Sequence, residues 1–409
     1  MSKPTKLPEG WKLVSLGEVG TLINGDRGKN YPSQKDFVDN GVPFINAGHI
    51  QNGEIDFESM NFISRKRFDL LGSGKVKSGD ILYCLRGSLG KTAIIKDIQE
   101  GAIASSLVII RPSEQIRTDY FYRYLASPIG QAEIYKYDNG SSQPNLSAQS
   151  LKQYQLPLPP LEEQRRIAAI LDKADGVRRK RKEAIRLTEE LLRSTFLEMF
   201  GDPVTNPKGW RKISLGELLA EPLQNGAYFP KERYVEAPDG VEMVHMSDAF
   251  YNFVERGQLK RVQVTSEEFE KYKLIPNDVL IARRSLNYEG SAKPCLISEA
   301  DQPLIFESSL IRVRLNAEVI DSFFFFSYML EPRARSAYVF PNVTKSTISG
   351  INQAGLRRIS VLVPPMSNQK KYRDIYKKIL GTQSNYQKDY ENIDNLFNSL
   401  LQRAFRGEL

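Results

Sequence analysis

The chain is written twice. Gly10-Trp11-Lys12-Leu13-Val14-Ser15-Leu16-Gly17-Glu18 returns as Gly209-Trp210-Arg211-Lys212-Ile213-Ser214-Leu215-Gly216-Glu217. Gly79-Asp80-Ile81-Leu82 is answered by Asn277-Asp278-Val279-Leu280, each followed by an arginine and a Gly/Ser-rich turn. Ser105-Ser106-Leu107 running to Arg111 is answered by Ser308-Ser309-Leu310 running to Arg314. Aromatic segments at 120–125 and 323–330, Pro-Pro at 159–160 and 364–365, and Gln164 with Gln369 complete the correspondence. Solenoids and propellers use periods of roughly 20–50 residues, so a repeat this long excludes them. A chain of 409 residues has room for two or three domains, and here two are copies of one unit.

Each copy closes on a long amphipathic stretch. In the first, Pro157, Pro159 and Pro160 bar a helix upstream, while Glu162 and Glu163 suit the positive end of a helix that starts there. Apolar positions then recur at three- and four-residue steps through Ile167, Leu171, Ala174, Val177, Ile185, Leu192, Phe196 and Met199, until Gly201 and Pro203 end the run. About 38 residues of helix span roughly 57 Å. The second stretch follows Pro364-Pro365, takes Ser367 as its cap, and carries Tyr372, Tyr376, Ile379, Tyr386, Tyr390, Ile393, Phe397, Leu401 and Phe405. Gly176 and Gly381 lie mid-run in the two. One narrow apolar seam needs a partner, so the two helices are expected to pair, antiparallel, as a coiled coil.

Ahead of each helix lies a mixed portion. Short β-type runs at 82–85, 92–95, 107–110, 279–281 and 310–313 alternate with Gly/Asn/Ser/Pro turns, and one helix is expected near 119–135 and another near 321–338. This is an α+β globule, present twice.

Catalytic signals are sparse. His49 and His245 are the two histidines, and neither has Cys, His or carboxylate neighbours at ligand spacing. Cys84 and Cys295 suggest neither a disulfide framework nor zinc, and fit a reducing cytoplasm. Gly87-Ser88-Leu89-Gly90-Lys91-Thr92 lacks the first glycine of a phosphate loop, because position 85 is leucine, and it leads into a β-type run rather than a helix. The start of the chain lacks an apolar core for a signal peptide, and the apolar run from Phe323 is too short to span a membrane.

Binding signals are richer. The net charge is +8 and the pI about 9.1, which favours nucleic acid as a partner. Polar turns in the first copy carry Arg27, Lys29, Tyr31, Arg86, Ser88, Ser141, Ser142 and Gln143. In the second they carry Gln224, Asn225, Tyr228, Lys231, Arg283, Arg284, Asn287, Tyr288, Lys345, Ser346 and Thr347. Arginine and lysine match guanine edges, asparagine and glutamine match adenine edges, and all of them reach phosphate. Two equivalent globules on paired helices suit a duplex, whose half-sites one turn apart, about 34–36 Å, face the same side. The run Arg178-Arg179-Lys180-Arg181-Lys182 reads as a solvated helix face, or as a patch that neutralises phosphates or meets an acidic partner.

This arrangement resembles the specificity subunit of type I restriction–modification systems. The resemblance covers essentially the whole chain and rests on the duplicated Gly-Trp segment, the helix entry at 156–171, the helix exit at 191–203 and the end of the chain at 400–409. It implies an α+β fold of two tandem-repeated target-recognition domains, 1–160 and 201–365, with two long antiparallel coiled-coil helices, 161–200 and 366–409. It also implies a non-enzymatic DNA-binding subunit that reads a bipartite double-stranded site. The helices would space the two halves and hold two adenine methyltransferase subunits, and restriction (motor–nuclease) subunits can join. Cofactors (S-adenosylmethionine, ATP and Mg) would belong to those partners, with none bound by this chain, no metal and no membrane. A coiled-coil adaptor whose globules bind protein is the alternative. Removing about one helical turn within 178–190 is expected to change the spacing of the two half-sites without changing either half-sequence, as read by methylation mapping.

Overall fold

The structure is a computed structural model that describes residues 7–96, 98–137, 145–250, 252–297 and 302–409. The chain forms two compact units, Met1–Glu183 with Lys388–Leu409, and Ala184–Gln387. Both long helices, Leu161–Phe200 and Met366–Arg406, are continuous, and each contributes one end to each unit. The units therefore divide the chain through the middle of both helices, where the four-part reading of the sequence cuts at their ends.

Within each unit the repeat is carried by strand order. Unit 1 has an antiparallel sheet ordered Gly20–Asn24, Leu107–Pro112, Ile81–Cys84, Thr92–Ile94. Unit 2 repeats it as Gln224–Asn225, Leu310–Val313, Val279–Ala282, Pro294–Leu296. A second sheet in each unit contains a parallel pair, Val42–Ile45 with Gly101–Ile103, and Val241–Val244 with Leu304–Phe306. The duplicated Gly-Trp segments lead into Lys12–Ser15 and Arg211–Ser214, which pair with Gln155–Leu158 and Ser360–Val363, the strands just before each long helix.

The matched residues of the repeat turn out to be fasteners. Asp80 accepts two hydrogen bonds from Arg111, both at 2.8 Å, and one from the Lys77 amide. Asp278 does the same with Arg314, at 2.8 and 2.7 Å, and with the Ile275 amide. Gln164 and Gln369 are both fully buried. Gln164 accepts from the Arg117 amide at 2.8 Å and donates to the Gln115 and Pro159 carbonyls. Gln369 accepts from the Asp321 amide at 2.8 Å and donates to the Val319 and Pro364 carbonyls. One carboxamide thus ties the first turn of each long helix to its globule.

Three expectations need correction. The single helix near 119–135 is two, Thr118–Ala126 and Pro128–Tyr137, because proline at 128 lacks the N–H to continue the ladder. Its counterpart breaks likewise at Pro332, into Ser322–Leu330 and a second helical run from Pro332 to Asn342 that passes from α through π to 3-10 turns. Ser367 lies inside the second long helix, which begins at Met366, so it does not cap it.

The basic run is not simply solvated. Asp175, almost fully buried, receives Arg123 at 3.0 Å, Arg178 at 2.8 Å and Arg179 at 2.9 Å. Burial opposes its charge, but Arg123 and Arg179 outweigh that and hold its carboxyl below the usual range. Arg178 also reaches Asp394 at 3.0 Å and lies 4.7 Å above the Phe397 ring, while Arg181 meets Asp389. These pairs join the two helices antiparallel in unit 1. In unit 2, Gln383 with Glu189 and Tyr372 with Phe196 and Phe200 give the same sense.

The end of the second helix completes the core of unit 1. Phe397, Leu401, Ala404 and Phe405 are buried against Ile167, Leu171, Tyr120 and Tyr124, with Phe405 5.4 Å from both tyrosine rings. Phe405→Ala is expected to cost about 3–5 kcal/mol. Hydrogen exchange should show the loss in the amides of residues 81–125, with those of residues 279–330 unchanged.

Candidate nucleic-acid interface

Each unit shapes its first candidate loop with a glycine. A Cβ on Gly25 would lie 2.8 Å from the Ala104 carbonyl oxygen, and one on Gly226 would lie 2.1 Å from that of Glu307. No other residue lets the backbone pass so close to the opposing turn. The Asn24-Gly25 and Asn225-Gly226 doublets are a sequence signal for this crossing that the repeat comparison missed. Beyond it in unit 1, Arg27 and Lys29 are exposed, and Arg27 Nη2 donates to the Ser105 carbonyl at 3.4 Å. Tyr31 serves packing: its ring stands edge-on to Phe44, and its hydroxyl accepts from the Ser105 amide at 3.5 Å. In unit 2, Tyr228 is 83% exposed. It and Lys231 line an open groove of about 1180 Å³ with Tyr234, Lys260 and Arg261.

The second group of candidates meets on a two-stranded ribbon. In unit 2, Arg284–Ser285 pairs with Ser349–Gly350. This brings the 283–288 turn to the exposed Lys345, Ser346 and Thr347, with Lys345 Nζ 5.3 Å from the Tyr288 ring centroid. Tyr288 packs on Phe340 and donates to its carbonyl at 3.0 Å. Arg284 and Asn287 are exposed, although the Asn287 carboxamide oxygen accepts from the Gly290 amide at 2.8 Å and so also shapes the turn. Arg283 is half-buried, and its backbone bonds both Ser309 and Ile351. Gln224 and Asn225 are half-buried; Gln224 Nε2 donates to the Asn225 carbonyl at 2.8 Å, and Asn225 Oδ1 accepts from Gln353 at 3.2 Å. In unit 1, Arg86 and Ser88 are exposed, and Arg86 bridges to Asn145, with Nε donating to its Oδ1 at 3.3 Å. Ser141, Ser142 and Gln143 lie outside the described residues.

An ion pair steadies the stretch after each glycine crossing, with its polarity swapped between units. In unit 1, Arg67 donates to Asp36, Nε at 2.9 Å. In unit 2, Arg233 donates to both Glu268 oxygens, at 2.7 and 2.6 Å. Both carboxyls are pulled down to about 2, Asp36 by the Ser33 amide and hydroxyl and then Arg67, Glu268 by Arg233 and then the Thr265 amide.

The two histidines serve the backbone. His49 Nδ1 accepts from the Asn46 amide at 3.1 Å, and His245 bonds the Tyr234 hydroxyl at 2.9 Å and the Met243 carbonyl at 3.0 Å. Among the described residues no group of three or more His, Cys, Asp or Glu could hold a metal ion, and no helix is long and apolar enough to cross a membrane.

The model of the type I restriction modification DNA specificity domain matches residues 8–187 and 207–393, one match per copy. The chain belongs to this family. It is a specificity subunit of a type I restriction–modification complex, and its role is recognition of DNA sequence. It is 26% identical over 428 residues to the EcoKI specificity subunit of Escherichia coli K12, covering 99% of this chain and 90% of that protein. Identity to the StySPI specificity subunit of Salmonella potsdam is 24% over 425 residues, again covering 99% and 90%. Two solved structures share the fold. One chain, solved to describe complex assembly and conformational transition of the type I R-M system, aligns at TM-score 0.56 and 20% identity, covering 99% of this chain and 100% of that one. The S subunit of M. genitalium aligns at 0.55 and 15%, covering 99% of both chains. These likenesses support the DNA-reading specificity subunit over the protein-binding adaptor.

The depressed carboxyls set a pH dependence for the stretches after the glycine crossings. A folded value below the unfolded one means the stabilisation is present above the unfolded value, near 4, and is lost as pH falls through about 2. Amide protection at 231–235 and 33–38 is therefore expected to fall across that window. Exchanging the partners as Arg233→Glu with Glu268→Arg, the polarity of unit 1, should restore protection that Arg233→Glu alone removes.

Proposed function

We propose that each unit reads one half of a bipartite duplex site and that catalysis belongs to partner subunits. The observation that carries this reading is the repetition of one recognition layout. In each unit a glycine crossing passes close to the opposing turn, and an arginine pairs its backbone with a later segment, Arg86 through a single bridge to Asn145 and Arg284 through a two-stranded ribbon. What differs between the copies is the side chains on those loops, as two different half-sequences require.

The long helices would hold two methyltransferase subunits that methylate adenine with S-adenosylmethionine. Motor–nuclease subunits using ATP and Mg would join for restriction. The side-chain chemistry of this chain supports a non-catalytic role: both histidines are spent on the backbone, and burial pushes the Cys84 and Cys295 thiols up, Cys295 to about 12, which keeps them protonated.

Exchanging residues 20–150 for the same region of a relative is expected to alter one half of the methylated motif and leave the other. Altered sequence at both halves would refute separate reading. Duplex affinity of the assembled methyltransferase should fall steeply with salt. Arg284→Ala with Lys345→Ala should reduce the slope of log K against log salt by about 1 for each phosphate left without its cation. Salt-insensitive binding would contradict the reading.

A further inference from the structure

The most exposed large apolar side chain among the described residues is Leu286, 87% open to solvent. It lies at the tip of the unit 2 ribbon. The register sets Arg284 opposite Gly350 and Ser285 opposite Ser349; Leu286 directly follows one of these strands and Ile348, itself 52% exposed, directly precedes the other. The same end of the two-stranded ribbon is thus flanked by an exposed aliphatic doublet, Leu286 and Ile348.

The loop that presents it is braced from beneath. Ser285 Oγ accepts from the Asn287 amide at 3.3 Å, and Asn287 Oδ1 from the Gly290 amide at 2.8 Å. The guanidinium of the buried Arg335 donates to the carbonyls of Glu289 at 2.9 Å, Ser291 at 2.7 Å, Ala292 at 3.3 Å and Met329 at 3.0 Å. A buried cation is thus committed to holding the backbone of 289–292, the base of the turn that carries Leu286. Around the doublet, residues 283–290 and 344–350 carry Arg283, Arg284 and Lys345 against Glu289 alone.

A rigid apolar point inside a cationic rim complements a polyanion with an apolar interior, and duplex DNA has phosphates outside and stacked bases within. We infer that Leu286, with Ile348 flanking the same end of the ribbon, is an apolar wedge that enters and unstacks one base step of the half-site read by unit 2, while the rim cations hold the flanking phosphates. This rests on the DNA-reading role proposed above. In unit 1 the residue two beyond the ribbon arginine Arg86 is Ser88, so the unstacking belongs to one half only.

The test uses the full chain assembled with its methyltransferase subunits on a duplex carrying the motif to which it directs methylation. 2-Aminopurine is placed in turn at each step of both halves. Apart from the target adenines, which methyltransferase subunits extrude in both halves, binding of the unaltered protein should raise fluorescence at one step of one half. Leu286→Ser should abolish the rise and weaken binding about ten-fold, Ile348→Ser should reduce both, and Leu286→Met should keep the rise. Tight binding with no rise at any step other than the target adenines overturns the wedge and leaves the DNA-reading role standing. So does an equal rise with Leu286→Ser. Affinity lost only on replacing a thymine by deoxyuridine, without unstacking, would make Leu286 a thymine-methyl contact and overturn the wedge. Absence of any duplex binding would overturn the reading on which it rests.

Discussion

Two buried glutamines hold this architecture together. Gln164 and Gln369 each satisfy one amide and two carbonyls where the sheet domain hands the chain to a long helix. Buried polar backbone left unpaired costs about 1–3 kcal/mol per group, so a side chain that can both donate and accept is needed there, and glutamine has both in one planar group. Glutamate could not donate in its charged form, and leucine could do neither. Because the joint is fastened, each helix leaves its globule in a fixed direction, and the loops on the globule gain a fixed relation to the helix.

The sequence was most legible where the two copies share a fastener. Asp80 with Arg111, Asp278 with Arg314 and the paired glutamines stand out in the repeat because their geometry admits few substitutes. The strands were readable from short apolar runs, and the four phenylalanines from Phe323, too short a run to span a membrane, form a buried helix. Physical equivalence without identity was hidden. Asp36 with Arg67 and Arg233 with Glu268 do one job with reversed charges, which a residue-by-residue comparison cannot see. The helix breaks at Pro128 and Pro332 were in plain view but were overrun by the apolar pattern on either side. The burial of Tyr31 and the double use of Asn287 depend on neighbours far away in sequence, so their type alone marked them as contacts.

A division of labour follows from these contacts. Burial and ion pairs fix the sheets, the helix joints and the bases of the loops. The exposed side chains on the loops, Arg27, Lys29, Tyr228, Arg284 and Lys345 among them, carry little of that structure and are free to differ between copies. In the function proposed above, a scaffold of this kind would read different half-sequences by changing loop tips, at small cost to stability. The helices add a second economy. Each unit is closed by residues from both long helices, as Phe405 shows for unit 1, so neither globule is complete on its own stretch of sequence.

The central claim, that this chain directs modification to one bipartite DNA sequence, is tested most directly by mapping adenine methylation genome-wide in cells with and without its gene. The account predicts that methylation disappears at a single two-part motif and returns when the gene is restored. Methylation unchanged at every motif, in cells whose partner methyltransferase subunits are expressed, would contradict it.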